Sequence, residues 1–306
     1  MHRTQLTQGA SLLTIAAALA ATPVRAQDSA LAYDLGTLVV TGEKVERDLM
    51  DTASSVTLLT EDEIAAHSPG KPNVQALIGG TPNVVYSENV STPIIRGSNS
   101  EGPHTGANAF FGGTVPRATI NLDGQYLDYN AFYFGATSAW DLGSVEVYRG
   151  PQTTSQGANA IGGAIVVNTN DPTFEAGGAW RLEYGDYGQE RASFVLNGPL
   201  ATDLAGRIAL DYSARDTFID YNGAAFVKND IGQDFENLNG RAKLLWTPAD
   251  IPGLEVMLTY SRTDSTSPSA EGASPDYEDL ESVTMYMPGW HQVSDTGILD
   301  ISHDLG

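Results

Sequence analysis

The second half of the chain is written in period two. Trp180, Leu182 and Tyr184 alternate with Arg181 and Glu183, and Ile208, Leu210, Tyr212 and Ala214 alternate with Arg207, Ala209, Asp211, Ser213 and Arg215. Ala242, Leu244 and Trp246 alternate with Arg241, Lys243 and Thr247, and Leu254, Val256, Leu258 and Tyr260 with Glu255, Met257 and Thr259. Alternation at this period predicts strands with one apolar and one polar face. Six strands are expected, starting near Gly178, Gly188, Leu204, Glu236, Gly253 and Ser294. The connections alternate too: Gly198–Asp203 and Pro248–Gly253 are short, whereas Asp216–Asn237 and Asp264–Val293 are long. Strands of about ten residues, apolar outside and charged inside, with short turns at one end and long loops at the other, are the pattern of an antiparallel transmembrane barrel. Trp180, Trp246, Tyr184 and Tyr260 stand near strand ends, where interfacial aromatics belong. A soluble β-sandwich also alternates, but its strands are shorter and its loops lack this asymmetry.

Before these strands, residues 53–172 read as an α+β domain. Val56–Leu59 is a strand. Thr60 and Glu63 form a capping box that starts a helix, and Asn73 caps a second short helix over Val74–Ile78, ended by Gly79–Gly80. Val84–Tyr86, Pro93–Ile95 and Thr119–Leu122 are short strands, Ser144–Tyr148 alternates, and Ala164–Asn168 is apolar enough for the middle of a sheet.

The N-terminus has a different character. His2 and Arg3 precede an apolar run, Ser11–Ala21, and Val24–Arg25–Ala26 places a small residue before an expected cut at Gln27, so residues 1–26 read as an export signal. That run is too short to span a bilayer as a helix. Residues 27–52 form a polar segment and charged linker around Leu38–Thr41, a β-prone run bracketed by glycines. Such a run either donates a strand to another chain's sheet edge or begins the next domain.

Composition narrows the choices. A net charge of -22 over 306 residues leaves no basic stripe for nucleic acid and does not favour adhesion to anionic lipid. The absence of cysteine removes disulfides, thiolate metal sites and thiol nucleophiles. There is no Gly-Lys-Ser/Thr loop and no His-Glu-x-x-His, so no enzyme, cofactor or metal site is expected. Two stretches are candidates for ligand contact: a polar glycine-rich run containing His104, Phe110, Phe111 and Arg117, and an aromatic run with Tyr126, Tyr129 and Tyr133. Aromatic and polar groups on loops above a rigid sheet suit an amphipathic ligand, although they can equally pack against a barrel wall.

Asp34-Leu35-Gly36-Thr37-Leu38-Val39-Val40-Thr41 is similar to the TonB box of TonB-dependent outer-membrane receptors. Ile95-Arg96-Gly97 and Asn121-Leu122-Asp123-Gly124 are similar to two plug signatures. The longest agreement begins at Val145-Glu146-Val147-Tyr148-Arg149-Gly150-Pro151-Gln152. It continues through Gly157 and Gly162-Gly163-Ala164-Ile165 to Asn168 and Asp171-Pro172.

The resemblance implies a plug domain (53–172) followed by the first strands of a barrel (173–306). Six strands cannot enclose a plug; about 22 are needed, so the parent is expected to run to about 650 residues. It implies a Gram-negative outer-membrane importer, bathed in outer-membrane lipid and energised by TonB and its ExbB/ExbD motor. The cargo is expected to be a small-molecule chelate, a ferric siderophore first, with cobalamin, an oligosaccharide or another large nutrient as alternatives. It further implies that Arg96 and Arg149 lock the plug to carboxylates on the barrel wall, whose breakage sets a release force. No further domain is read between Gln27 and Asp34, so signalling to transcription regulators is not expected.

Overall fold

Strands whose hydrogen-bonding partners come from both neighbours and strands that face lipid demand opposite residue patterns, and both occur in this chain. The computed structural model describes residues 39–42, 47–52, 54–87, 90–100, 117–127, 137–157, 159–222, 234–268, 273, 278–283 and 289–305.

The first elements are β1 (Val39–Val40) and β2 (Arg47–Asp48), an antiparallel pair, followed by a 3₁₀ turn at Leu49–Asp51. Strand β3 (Val56–Thr60) runs into helix α1 (Glu61–His67). The capping box is present: the Glu63 N–H donates to the Thr60 hydroxyl and the Glu63 carboxylate accepts from the Thr60 N–H at 3.0 Å. Asn73 caps helix α2 (Val74–Ile78) by accepting from the Ala76 N–H at 2.8 Å. Val74, Leu77 and Ile78, at the spacing that shares one helix face, are all buried.

Three short strands, β4 (Val84–Ser87), β5 (Val90–Ile95) and β6 (Ser98–Asn99), form an antiparallel sheet. Next come β7 (Ala118–Leu122), β8 (Gln125–Tyr126), β9 (Leu142–Arg149) and β10 (Gly163–Thr169). Their sheet has the order β3-β9-β10-β7-β8, with β10 parallel to β7 and antiparallel to β9. The centre of such a sheet is covered on both faces, which is why Ala164–Val167 is uniformly apolar. One face, carrying Val145, Val147, Ile165, Val167 and Ile120, packs under α1 and α2. Each side chain buried in this way contributes about 1.5–3 kcal/mol. The other face carries Tyr148, Ala164 and Val166, with Glu146 opposite Val166. Alternation along β9 correctly separates the two faces, but Glu146 is fully buried rather than turned to water.

The remaining long strands are β11 (Gly177–Tyr184), β12 (Glu190–Pro199) and β13 (Leu204–Arg215). After a short β14 (Asp220–Tyr221) come β15 (Phe235–Trp246), β16 (Leu254–Pro268), another short strand β17 (Glu281–Ser282) and β18 (Gly289–His303). The six long strands form an antiparallel meander in the order β11-β12-β13-β15-β16-β18. The last begins at Gly289, five residues before the expected start near Ser294. Trp180 is 74% exposed and Leu182 70%, whereas Asp211 and Lys243 are each 3% exposed. A water-soluble sheet would reverse that arrangement; apolar residues outside and charges inside are what a lipid-facing wall requires. Among the described residues no helix is long and apolar enough to cross a membrane.

One pairing has no counterpart in the sequence pattern. β14 and β17 pair in parallel, Asp220 with Glu281 and Tyr221 with Ser282, and so tie the two long connections together.

Candidate functional site

Two sets of contacts give this architecture a capacity to act: one holds the N-terminal segment on the plug sheet, the other holds the plug to the strand wall.

The first set centres on Glu146. Its carboxylate accepts the Thr41 N–H at 2.9 Å, the Thr41 hydroxyl at 2.8 Å, the Gly42 N–H at 3.0 Å and the Tyr148 hydroxyl at 2.7 Å. A buried carboxylate needs such compensation, because desolvation penalises the charge and each bond to it returns part of the cost. The Asn168 side-chain amide donates to the Thr41 hydroxyl oxygen at 3.1 Å, and Gln156 donates its amide to the Gly42 carbonyl. Gln156 in turn accepts from Asn121 at 3.4 Å, linking one signature motif to another. Val40 is fully buried. Gly42 has no room to be anything else: a Cβ there would stand 2.5 Å from the Tyr148 ring.

The signature motifs are turn chemistry. Arg96 (φ 52°) and Gly97 (φ 74°) join β5 to β6, and Asp123 (φ 48°) and Gly124 (φ 85°) join β7 to β8. Positive φ at both central residues is the type I′ hairpin turn, which matches the twist of paired strands. Gly150 and Gly157 also take positive φ in the β9–β10 connection, with the exposed Pro151 between them. Gly162 donates its N–H to the Arg117 carbonyl at 2.7 Å. At Gly163 (φ 156°) a side chain would run into the Tyr148 carbonyl.

The second set is a seam of charges. Asp141, its side chain 1% exposed, meets two wall arginines. Arg207 pairs through its guanidinium, with Nε at 3.0 Å, and Arg241 through Nη2 at 2.9 Å. Wall residue Lys243 reaches Asp171 at 2.7 Å and Asp123 at 3.4 Å. Asp123 also accepts from the Thr169 N–H and hydroxyl at 2.7 Å each. On the wall itself Arg191 pairs with Asp211 at 2.8 Å. Asp211 accepts from plug residue Ser138 at 2.5 Å, and Arg191 donates to the Lys71 carbonyl at 3.3 Å. Arg181 donates to Ser68 at 2.6 Å, and Trp140 donates its indole N–H to the Phe194 carbonyl at 3.1 Å.

This seam is distinct from the lock expected of Arg96 and Arg149. Arg96 and Arg149 make no ion pair among the described residues. Arg149 donates instead to the Pro82 carbonyl at 3.1 Å and the Val56 carbonyl at 3.4 Å, within the plug. The carboxylates of the seam, Asp123, Asp141 and Asp171, belong to the plug, and the cations belong to the wall. Asp141 and Ser138 escaped the sequence reading because they lie in irregular segments, and Asp171 was read only as the end of a signature motif. Arg207, Arg241 and Lys243 were legible as the polar phase of their strands, though their partners were not.

The expected ligand contacts are only partly placed. Arg117 is exposed at the start of β7, its N–H donating to the Ser100 carbonyl at 2.6 Å. Tyr126 is 41% exposed, with its hydroxyl beside Gly157. His104, Phe110, Phe111, Tyr129 and Tyr133 lie outside the described residues, as do Asp34, Leu35, Thr37 and Leu38 of the N-terminal segment. Among the described residues no cluster of three His, Cys, Asp or Glu could hold a metal ion. Burial pushes the Tyr86 phenol, under α2, well above the ordinary tyrosine range.

A family model described as TonB-dependent Receptor Plug Domain matches residues 48–164. The ferrioxamine B receptor of Salmonella typhimurium is 27% identical over 173 residues, covering 56% of this chain and 23% of the relative. Among solved structures, the ferric yersiniabactin uptake receptor of Yersinia pestis aligns with a TM-score of 0.66 at 22% identity, over 82% of this chain and 38% of that one. The ferripyoverdine receptor of the Pseudomonas aeruginosa outer membrane aligns with a TM-score of 0.66 at 17% identity, over 89% of this chain and 35% of that one. At these identities the structural likeness establishes fold. The chain therefore spans less than half the length of each of these relatives.

Proposed function

This chain carries a TonB-dependent receptor plug domain followed by antiparallel wall strands, and from that premise we propose that its parent protein imports a ferric siderophore across the Gram-negative outer membrane, energised by TonB. The observation that carries the reading is the fixing of Thr41 and Gly42 on Glu146, an internal position of the plug sheet, next to the buried Val40. The segment similar to a TonB box is thus joined directly to the element that must move.

The physical need is plain. An outer membrane has no ATP and no sustained ion gradient, so work must arrive mechanically. A strand that pairs with TonB, itself driven by the ExbB/ExbD motor, supplies a row of main-chain hydrogen bonds that share a load. The wall holds the plug through Asp141, Asp123 and Asp171 while the N-terminal segment is pulled. Siderophore cargo is favoured because the relatives found are receptors for ferrioxamine B, ferric yersiniabactin and ferripyoverdine. In this reading residues 1–26 are removed on export and the apolar strand faces meet lipid.

The test is accumulation of radioiron, offered as each of those three chelates, by a siderophore-receptor-deficient Gram-negative host expressing the intact gene. Uptake of at least one chelate is expected, dependent on TonB. Deleting Leu38–Thr41 should abolish uptake while cell-surface binding persists. Uptake that survives the deletion, or no accumulation of any ferric chelate, overturns the reading.

A further inference from the structure

Pulling on the chain ahead of Val39 meets β1–β2 first. Val39 pairs with Asp48 and Val40 with Arg47, so the two chain ends leave the hairpin on the same side. A load applied there peels the pair one rung at a time, and two rungs resist little. The next attachment is of another kind. Thr41 and Gly42 together give three hydrogen bonds to one carboxylate, Asn168 and Gln156 add two more to the same residues, and the Gly42 backbone lies against the Tyr148 ring. These five bonds converge on two adjacent residues, so they share a load more than the two rungs do.

The anchor is also deep in the sheet. Glu146 sits on β9, paired across to Leu58 of β3 on one side and Val166 of β10 on the other. If residues 40–42 depart, Glu146 keeps only the Tyr148 hydroxyl among its four donors. A carboxylate that was fully buried is then short of compensation in the middle of the plug, and the sheet face bearing Tyr148, Ala164 and Val166 loses part of its cover.

We infer that Glu146 is the latch of the coupling segment: it holds Thr41 and Gly42 against the plug at rest, and their removal converts a pull on the chain into destabilisation of β9, an internal strand of the plug sheet. This rests on reading residues 34–41 as the coupling segment, and it names the side chain through which that segment acts. Glu146 is a positioning residue, since nothing places it in contact with cargo.

The experiment needs neither cargo nor TonB, so its failure is distinct from failure of the import reading. The intact protein carrying Val40→Cys is placed in outer membranes lacking TonB, and its reaction with a hydrophilic maleimide is timed. The wild-type latch should keep this cysteine slow. Glu146→Gln, which keeps the shape but removes the charge and turns an amide N–H toward the Gly42 N–H, should speed labelling by about tenfold or more. Thr41→Val, which deletes one hydroxyl donor, should speed it by about threefold or more. A cysteine placed instead at Val74 in α2 should label at an unchanged rate in both backgrounds. Unchanged Val40→Cys labelling in folded Glu146→Gln and Thr41→Val proteins overturns the proposal, as does a parallel rise at Val74→Cys. If Glu146→Gln fails to assemble, Thr41→Val decides alone.

Discussion

Thr41 and Glu146 stand 105 positions apart in the chain, yet Thr41 gives both its backbone N–H and its hydroxyl to one oxygen of the Glu146 carboxylate, at 2.9 and 2.8 Å. Residues 40–42 are therefore packed into the plug rather than standing apart from it.

The seam offers a direct test of how the plug is held. Asp141 compensates two wall arginines at once, and its φ of 59° is a conformation that asparagine also tolerates. Asp141→Asn should thus preserve the turn and remove only the charge. Breaking a buried pair from one side costs about 3–5 kcal/mol, and partial exposure of the arginines lowers the expectation to about 2–4 kcal/mol. The midpoint of thermal unfolding of the detergent-solubilised intact protein should fall; an unchanged midpoint would remove Asp141 from the holding contacts.

Gly163 should tolerate no side chain. Its φ of 156° and the approach of the Tyr148 carbonyl leave no space for a Cβ. Gly163→Ala should cost about 1–3 kcal/mol through backbone strain, and more if the β9–β10 register must shift. Protease sensitivity of the plug in isolated membranes reads this out.

The exposed face of the wall predicts where a charge is forbidden. Leu210 is 47% exposed, so in water Leu210→Arg would be harmless. Facing lipid it should cost about 2–4 kcal/mol near the bilayer midplane and reduce the amount of assembled protein in the outer membrane. Normal assembly of Leu210→Arg would argue that this face is not in lipid.

Tyr86 sets a limit at high pH. Its phenol is raised by burial, so the folded state holds the proton more tightly than the unfolded chain, where tyrosine titrates near 10. Stability from this group is complete below pH of about 10 and drains away above it, at up to about 1.4 kcal/mol per pH unit. Denaturant midpoints measured across that range should fall more steeply for the wild type than for Tyr86→Phe.

Much of this was written locally. The strand phases, the capping box at Thr60 and the turn residues at Arg96–Gly97 and Asp123–Gly124 depend on neighbours a few positions away, and local chemistry specifies them. So did the separation of β9 into two faces. What covers each face did not follow, because alternation gives direction and not destination. Glu146 read only as one position of an alternating strand and of a signature motif, and the return of residues 40–42 over that face made it a buried anchor. The polarity of the seam and the β14–β17 pairing are of the same kind. Each joins groups tens of residues apart, where the chain between them carries no record of which charge will meet which, and burial together with mutual compensation makes the choice once the fold has closed.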